Sequence, residues 1–327
     1  MRVDNDFSRL FEGEILLEVE TLNVDAASFR QMEEASGQTV SGEIAAAVAE
    51  KVKETVQTRG KQHNPVTGSG GMLLGKVAQI APGHPSSSIQ VGDRVATLVS
   101  LSLTPLRIHS IADVRRESAQ LDVKGEAVLF ASGAYAKLPS DLPDHLALAV
   151  LDVAGAAPQV ARLVNEGDTV LVLGGGGKSG ILCAAEAKRK AGASGKVIAI
   201  ESFEKYAEDL RTLGICDVVV VADGRDPIAV RNAVLEANGG KEVDASFSCV
   251  NVEGAEMSAI LSTRDRGIVY FFAMSTSFTK AALGAEGVGK DVDLMIGNGY
   301  AHGHADHTLA MMREFPKIRA LFEARYG

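Results

Sequence analysis

The feature that most constrains the fold is an apolar, β-branched run that ends in four consecutive glycines and continues as a helical pattern. The run is Thr169–Leu173, and apolar residues recur at helical spacing from Ile181. Gly175, Gly177 and Gly180 match the G-x-G-x-x-G spacing, which allows a tight turn, backbone contact with a pyrophosphate and close helix packing. A helix N-terminus at this point offers unpaired N–H groups to phosphates. The pattern predicts a parallel α/β domain that binds a dinucleotide.

A second strand with an acidic residue at its end supports a dinucleotide site. Residues 196–200 have strand character, and Glu201 follows 21 residues after Gly180. A carboxylate there accepts hydrogen bonds from the ribose hydroxyls and repels a 2′-phosphate, which favours NAD over NADP, although Lys205 weakens that preference. A triphosphatase phosphate loop is excluded, because position 172 is Val where that motif requires Gly. We therefore predict NAD as the cofactor.

Further cofactor contacts are predicted from position, because ligands gather at the carboxyl ends of parallel strands. The candidates are Lys178 and Ser179 at the helix start, Asn251 after the fourth strand of the domain, and Ser275 and Thr276 after the fifth. The alternatives left open are a solvated Lys178 and ordinary strand ends at the other positions.

Composition excludes several classes of protein. The chain has 327 residues, which is enough for two domains, and its net charge of −9 argues against a nucleic-acid surface. No apolar stretch reaches the roughly 20 residues of a membrane span, and the polar start is unlike a secretory signal. Cys183, Cys216 and Cys249 lie in apolar contexts, so we expect reduced core thiols in a cytoplasmic protein.

The two halves of the chain differ in pattern. The first is β-rich, with strand character at 14–19, 71–77 and 94–99, whereas the second alternates strands and helices as a parallel sheet requires. We place a first domain at 1–145 and a dinucleotide domain at 146–327, with a C-terminal tail at about 297–327. Apolar residues every fourth position predict an inserted helix at about 41–59. The later strands of the second half are predicted at 217–221, 243–248, 267–272 and 293–296.

This organisation, with a Gly-Asp-Arg-Val turn in the first half, resembles the medium-chain dehydrogenase/reductase superfamily. Within it, long segments resemble the family of L-erythro-3,5-diaminohexanoate dehydrogenases over nearly the whole chain. The segments that carry this similarity are 22–29, 63–72, 97–106, 151–156 and 278–290. The resemblance implies a GroES-like first domain, a Rossmann second domain and a homodimer. It further implies NAD-dependent oxidative deamination of the diamino acid to 5-amino-3-oxohexanoate in lysine fermentation.

The resemblance also points to the positions at which zinc-dependent members of the superfamily hold their metal with Cys, His and Cys. Asp25, Ser69 and Asp152 occupy the corresponding regions, and they lack the soft ligands that suit catalytic zinc. We therefore predict a metal-free mechanism. A carboxylate can hold the substrate ammonium and deprotonate it if burial raises its pKa, so Asp152 is the first candidate and Asp25 the second. His63 is a candidate base or proton relay.

Each candidate has a structural alternative. Asp25 and Asp152 could each cap the helix that follows, since Asp is a preferred N-cap residue. His63 precedes Asn-Pro in a predicted turn and could be structural. A basic residue is expected to meet the substrate carboxylate, and the unranked candidates are Arg30, Lys61 and Arg107.

A histidine cluster and two other functions remain open. His302, His304 and His307 lie in a predicted loop before a helix at 309–314, where they could bind a metal, although a polar interface loop is preferred. One alternative function is an NADPH-dependent quinone or enoyl reductase, against which Glu201 argues. The other is a non-catalytic NAD-sensing protein, because a fold alone does not imply catalysis.

Overall fold

The computed structural model describes residues 2–273, 275–297 and 299–326. The chain divides into two compact units, of which one contains residues 2–152 with 323–326 and the other is Val153–Phe322. The sequence-based division after residue 145 lies slightly earlier in the chain.

The first unit is built on a six-stranded antiparallel sheet in the order β4-β5-β1-β2-β3-β6. Its strands are β1 Ile15–Asn23, β2 Met72–Ile80, β3 Arg94–Thr97, β4 Leu106–Arg115, β5 Gln120–Leu129 and β6 Tyr135–Lys137. Burial alternates along the start of β1, where Ile15, Leu17 and Val19 face the core. The three strands predicted in this half are confirmed as β1 to β3.

Helices complete the first unit. They are α1 Ala26–Ala35, α2 Ser41–Arg59 and α3 Asp144–Leu151, with a 3-10 turn at Leu101–Leu103. The predicted inserted helix is confirmed as α2. Its residues Val48 and Val52 are fully buried in the core of the unit, because they lie one helical turn apart on a single face.

The second unit holds a six-stranded parallel sheet in the order β12-β11-β10-β7-β8-β9. Its strands are β7 Thr169–Leu173, β8 Lys196–Glu201, β9 Val218–Val221, β10 Val243–Ser248, β11 Thr263–Phe271 and β12 Asp293–Ile296. If the six strands are renumbered 1 to 6 from β7 to β12 and the sheet is viewed from the β9 edge, the order is 3-2-1-4-5-6. This is the doubly wound Rossmann arrangement. Successive strands are added on one side of β7 up to β9 and on the other side from β10 onward. Ligands are expected at this switch point, beyond the carboxyl ends of β7 and β10.

Helices precede, separate and follow these strands along the chain. They are α4 Ala156–Leu163, α5 Lys178–Ala191, α6 Glu204–Leu213, α7 Pro227–Ala237, α8 Glu256–Ser262, α9 Phe278–Val288, α10 His304–Glu314 and α11 Pro316–Tyr326. Among the described residues no single helix is long and apolar enough to cross a membrane, although α3 and α4 together pass that test by length and composition.

The prediction of a loop through all three clustered histidines is wrong. α10 begins at His304, directly after Gly303, whose φ of 71° is the left-handed conformation that favours glycine. The helix starts this early because its buried face already includes His304, Ala305 and Thr308. His304 and His307 are therefore helical, and His302 precedes the helix.

Candidate functional site

The glycine turn between β7 and α5 is closed at the backbone level. The amides of Gly174 and Gly175 both donate to the Ile200 carbonyl, at 2.9 and 3.1 Å, which ties the turn to β8. A methyl group at Gly180 would lie 2.1 Å from the Gly174 carbonyl oxygen, so only glycine lets α5 approach the turn. A methyl group at Gly177 would meet nothing closer than 3.8 Å. Gly180 is thus required for the packing of α5 against the turn. Gly177 is exposed, and its lack of a side chain keeps the backbone there accessible.

The start of α5 fits a phosphate group. Gly177 is the N-cap residue, and no side chain of the described residues caps the helix. The first amides of a helix lack intrahelical partners and lie at the positive end of its dipole, which favours an anion there. Lys178 and Ser179, both half-buried, are the first residues of the helix. The predicted phosphate-binding residues therefore lie together on one turn.

Glu201 has a role that the sequence reasoning missed. Its side chain is 5% exposed, and its two oxygens accept three backbone N–H groups. Oε2 accepts from Gly176 at 2.9 Å, and Oε1 accepts from Ser202 at 2.9 Å and Phe203 at 3.1 Å. The carboxylate thus binds the glycine turn to the end of β8. The Ser202 hydroxyl also donates to Oε1 at 3.5 Å, so these four contacts take up the roughly four acceptor positions of the carboxylate.

The loops after β7, β10 and β11 meet at the same edge of the sheet. The amide of Cys249 donates to the Leu173 carbonyl at 2.9 Å, which brings the loop after β10 against the glycine turn. Ser275 Oγ donates to the Val250 carbonyl at 2.9 Å, and Asn251 is exposed beside it in the chain. Thr276 follows in a turn closed by its amide on the Ala273 carbonyl at 3.3 Å.

In the first unit, Asp25 lies at the end of β1 and caps α1. Its Oδ1 accepts from the Ser28 amide at 3.0 Å, which confirms the capping alternative for this residue. The loop before β2 passes alongside, because a methyl group at Gly71 would lie 2.7 Å from the Asp25 nitrogen. Ser28 Oγ and Thr67 Oγ1 are 2.5 Å apart, and Asn64 Nδ2 donates to the Ser28 carbonyl at 3.3 Å. The 64–71 loop is therefore held against the start of α1 through Ser28, next to the residue that caps the helix.

Two neighbouring side chains just before this loop carry polar atoms without partners among the described residues. These atoms are Nδ1 of the half-buried His63 and both side-chain polar atoms of the fully buried Gln62. Burial, followed by the charges of Lys61 and Arg59, lowers the pKa of His63. The imidazole is therefore neutral near pH 7 and able to accept a proton. Gln62 was missed because nothing in its sequence context distinguishes it.

Asp152 is exposed and lies directly after α3, where its amide donates to the Leu148 carbonyl at 3.0 Å. The helix through Val160 is α4, and its N-cap residue is Gly155. The alternative that Asp152 caps this helix is therefore wrong.

The structure ranks the three basic candidates. Arg30 pairs with Glu34 at 2.9 Å one helical turn away, and its side chain is 80% exposed. Arg107 donates to the Asn5 carbonyl at 2.7 Å and contacts Glu126 at 3.6 Å. Lys61 makes no hydrogen bond or ion pair with any residue in the described part of the chain. Lys61 is therefore the one of the three whose side-chain charge is not paired within the described residues.

The clustered histidines have structural contacts. His304 is 5% exposed and meets the Tyr300 ring edge-on at 4.9 Å, and burial lowers its pKa. His307 Nε2 lies 3.5 Å from Glu186 Oε2, a buried carboxylate that Arg189 also binds. Within residues 2–273, 275–297 and 299–326, no group of three or more His, Cys, Asp or Glu side chains is arranged to hold a metal ion.

Comparison with known proteins identifies relatives over the full length. Residues 1–139 match the family model described as the L-erythro-3,5-diaminohexanoate dehydrogenase N-terminal domain. A protein of that name from Acetoanaerobium sticklandii is 51% identical over 327 residues, covering 100% of this chain and 93% of the relative. Another from Fusobacterium nucleatum is 49% identical over 326 residues, covering 99% and 93%.

Solved structures agree in fold. A mycobacterial protein solved with NADPH superposes with a TM-score of 0.61 at 19% identity, covering 99% of this chain and 92% of that one. The Escherichia coli quinone oxidoreductase solved with NADPH gives a TM-score of 0.58 at 15% identity, with 97% and 83% covered. The chain therefore has the GroES-like first unit and the Rossmann second unit of these structures, and it belongs to the L-erythro-3,5-diaminohexanoate dehydrogenase family.

Proposed function

We propose that the protein oxidatively deaminates L-erythro-3,5-diaminohexanoate to 5-amino-3-oxohexanoate with NAD. Full-length relatives at about half identity carry the name of this activity. The observation in the structure that carries the proposal is the exposed, uncapped start of α5 at Gly177, which suits a dinucleotide pyrophosphate.

The second unit supplies the cofactor-binding residues. Gly177 and the amides of Lys178 and Ser179 hold the pyrophosphate, Gly175 and Gly180 shape the turn, and Glu201 places a buried negative charge beside it. A 2′-phosphate would be repelled by that charge, because charges are poorly screened in a buried environment. This is our reason for preferring NAD to NADP. When bound, the dinucleotide supplies the hydride acceptor.

The first unit supplies the groups for an ammonium and a carboxylate. Asp152 holds the substrate ammonium at the reacting carbon. Asp25 is the second carboxylate and contacts the same ammonium through its Oδ2. Lys61 pairs with the substrate carboxylate. His63, neutral near pH 7, accepts the proton that the ammonium must lose before its carbon can give up a hydride. We propose that the reaction needs no metal, since the lone pair of the neutral amine assists loss of the hydride and the resulting iminium nitrogen carries the positive charge.

The chemistry of the product side follows from these roles. Loss of the hydride and a proton leaves a carbon–nitrogen double bond, to which water adds before ammonium leaves and the ketone forms. We propose that this reaction serves lysine fermentation in the cytoplasm, a reducing compartment that suits three free thiols.

The test is a substrate and cofactor panel. The purified protein is mixed with L-erythro-3,5-diaminohexanoate, lysine, threonine or ethanol, each with NAD or NADP, and the nicotinamide absorbance is followed. We expect a rise with the diamino acid and NAD, and a much smaller one with NADP. A matched pair of variants tests the contact between Lys61 and the substrate carboxylate. Lys61→Met should raise the KM for the diamino acid, while Arg30→Met should leave this KM unchanged. Oxidation of NADPH by quinones with no reaction of the diamino acid would support the quinone reductase instead.

A further inference from the structure

Two of the three cysteines lie side by side beneath the glycine turn. The sulfur atoms of Cys183, in α5, and Cys249, directly after β10, are 3.7 Å apart. Cys183 is 1% exposed, whereas Cys249 is half-buried. The proposed reaction uses neither thiol.

Both cysteines are coupled to the turn through the backbone. The amide of Cys249 is bonded to Leu173, and a methyl group at Gly174 would lie 3.1 Å from the Cys249 carbonyl. Cys183 lies three residues after Gly180, the glycine that packs α5 against the Gly174 carbonyl. A displacement of either cysteine is therefore transmitted to the residues that form the turn.

We propose that Cys183 and Cys249 form an oxidisable dithiol site, which hydrogen peroxide closes to a disulfide and which thereby blocks dinucleotide binding at the glycine turn. The effect on binding rests on the proposed function, but formation of the disulfide does not.

The oxidation proceeds in two balanced steps. The more accessible thiol, Cys249, attacks one oxygen of the peroxide as its thiolate and becomes a sulfenic acid, and hydroxide leaves. Cys183 then attacks that sulfur, and its proton leaves with the sulfenic hydroxyl as water. Two thiols lose two electrons and two protons in total, and the peroxide becomes two waters. The contact with Cys249 and burial both raise the pKa of the Cys183 thiol, so Cys183 meets the sulfenic acid as a protonated thiol whose proton leaves with the hydroxyl as water.

Closing the disulfide requires movement. A disulfide is about 2.05 Å long, so the two sulfurs must approach by roughly 1.7 Å. Because Gly180 holds α5 tightly on the turn, the loop after β10 has to move. That loop includes Val250, whose carbonyl accepts the Ser275 hydroxyl. The displacement therefore disturbs the carboxyl ends of β7, β10 and β11 together.

The experiment compares reduced and peroxide-treated protein. Intact mass should fall by two hydrogens, peptide mapping should join Cys183 to Cys249, and dithiothreitol should reverse both. Calorimetric titration with NAD should show at least about tenfold weaker binding to the oxidised protein. Cys249→Ser and Cys183→Ala should keep their affinity after peroxide, and Cys216→Ser, the matched control, should respond like the wild type.

A second measurement on the wild type avoids reliance on variants that fold poorly. A trivalent monoarsenical bridges neighbouring thiols, so the reduced protein should bind one equivalent and the oxidised protein none. Absence of the 183–249 disulfide, or equal NAD affinity before and after its formation, would overturn the inference. If reduced protein binds no NAD, the proposed function and the claimed block of binding both fail, whereas the mapping still decides the pairing.

Discussion

Gly177 and Gly180 are three residues apart on one turn, yet a methyl group has different consequences at each. At Gly180 it would collide with backbone, whereas at Gly177 it would extend from an exposed, unstrained position. Since the pyrophosphate is expected to approach the same position, Gly177 reports on binding without a contribution from folding.

We predict that Gly177→Ala weakens NAD binding by at least about tenfold while unfolding stability changes by less than about 1 kcal/mol. Titration calorimetry and denaturant unfolding measure the two quantities. Gly42→Ala, on an open face of α2, is the control and should alter neither. Unchanged NAD affinity in Gly177→Ala would place the dinucleotide elsewhere.

The pKa of His63 gives a second prediction at this scale. Because its pKa lies below the ordinary value near 6.5, the neutral, proton-accepting form should predominate from mildly acidic pH upward. The kcat/KM should therefore rise with pH through a midpoint below about 6.5 and then level off.

A pH profile of initial rates checks this expectation. His63→Ala should lose this acidic limb and about a hundredfold or more in rate, within the range of general acid–base catalysis. His109→Ala, whose imidazole is exposed on β4, should keep both. An unchanged acidic limb in His63→Ala would assign the titration to another group.

At the scale of elements, periodicity was the reliable guide. The inserted helix followed from apolar residues at helical spacing, because α2 buries one face. The strands of the parallel sheet followed from continuous apolar runs, because strands such as β7 and β8 are buried along nearly their whole length. The start of α10 did not, since it depends on Gly303 in the left-handed conformation and on burial of His304, neither of which a polar sequence signals. The role of Glu201 was also missed, because its partners are backbone amides.

The inserted helix allows a stability test. Val52 in α2 is fully buried, so we expect Val52→Ala to cost about 2 kcal/mol of unfolding free energy through lost burial and a residual cavity. Gln57→Ala on the exposed face should stay within about 0.5 kcal/mol. Denaturant unfolding compares them, and equal effects would show that α2 does not pack as described.

At the scale of the whole molecule, the parallel sheet ends in β9 on one side and β12 on the other. An open edge strand is a template for pairing with a second chain. We propose that β12 is the homodimer edge, where Ile296 is 61% exposed.

Sedimentation equilibrium tests this proposal. The wild type should have twice the 34.3 kDa mass of the chain. Ile296→Lys should dissociate it, because a charged edge opposes strand pairing, and Val221→Lys on the opposite edge strand should remain dimeric. Dissociation by Val221→Lys alone would move the interface to β9.

The measurement that tests the central claim most directly is the stoichiometry of the reaction with L-erythro-3,5-diaminohexanoate and NAD. Reduced dinucleotide and free ammonium are quantified in the same sample as the reaction proceeds. Oxidative deamination predicts equal amounts of the two throughout. Reduced dinucleotide without ammonium, or neither product from a protein that binds NAD, would contradict the account.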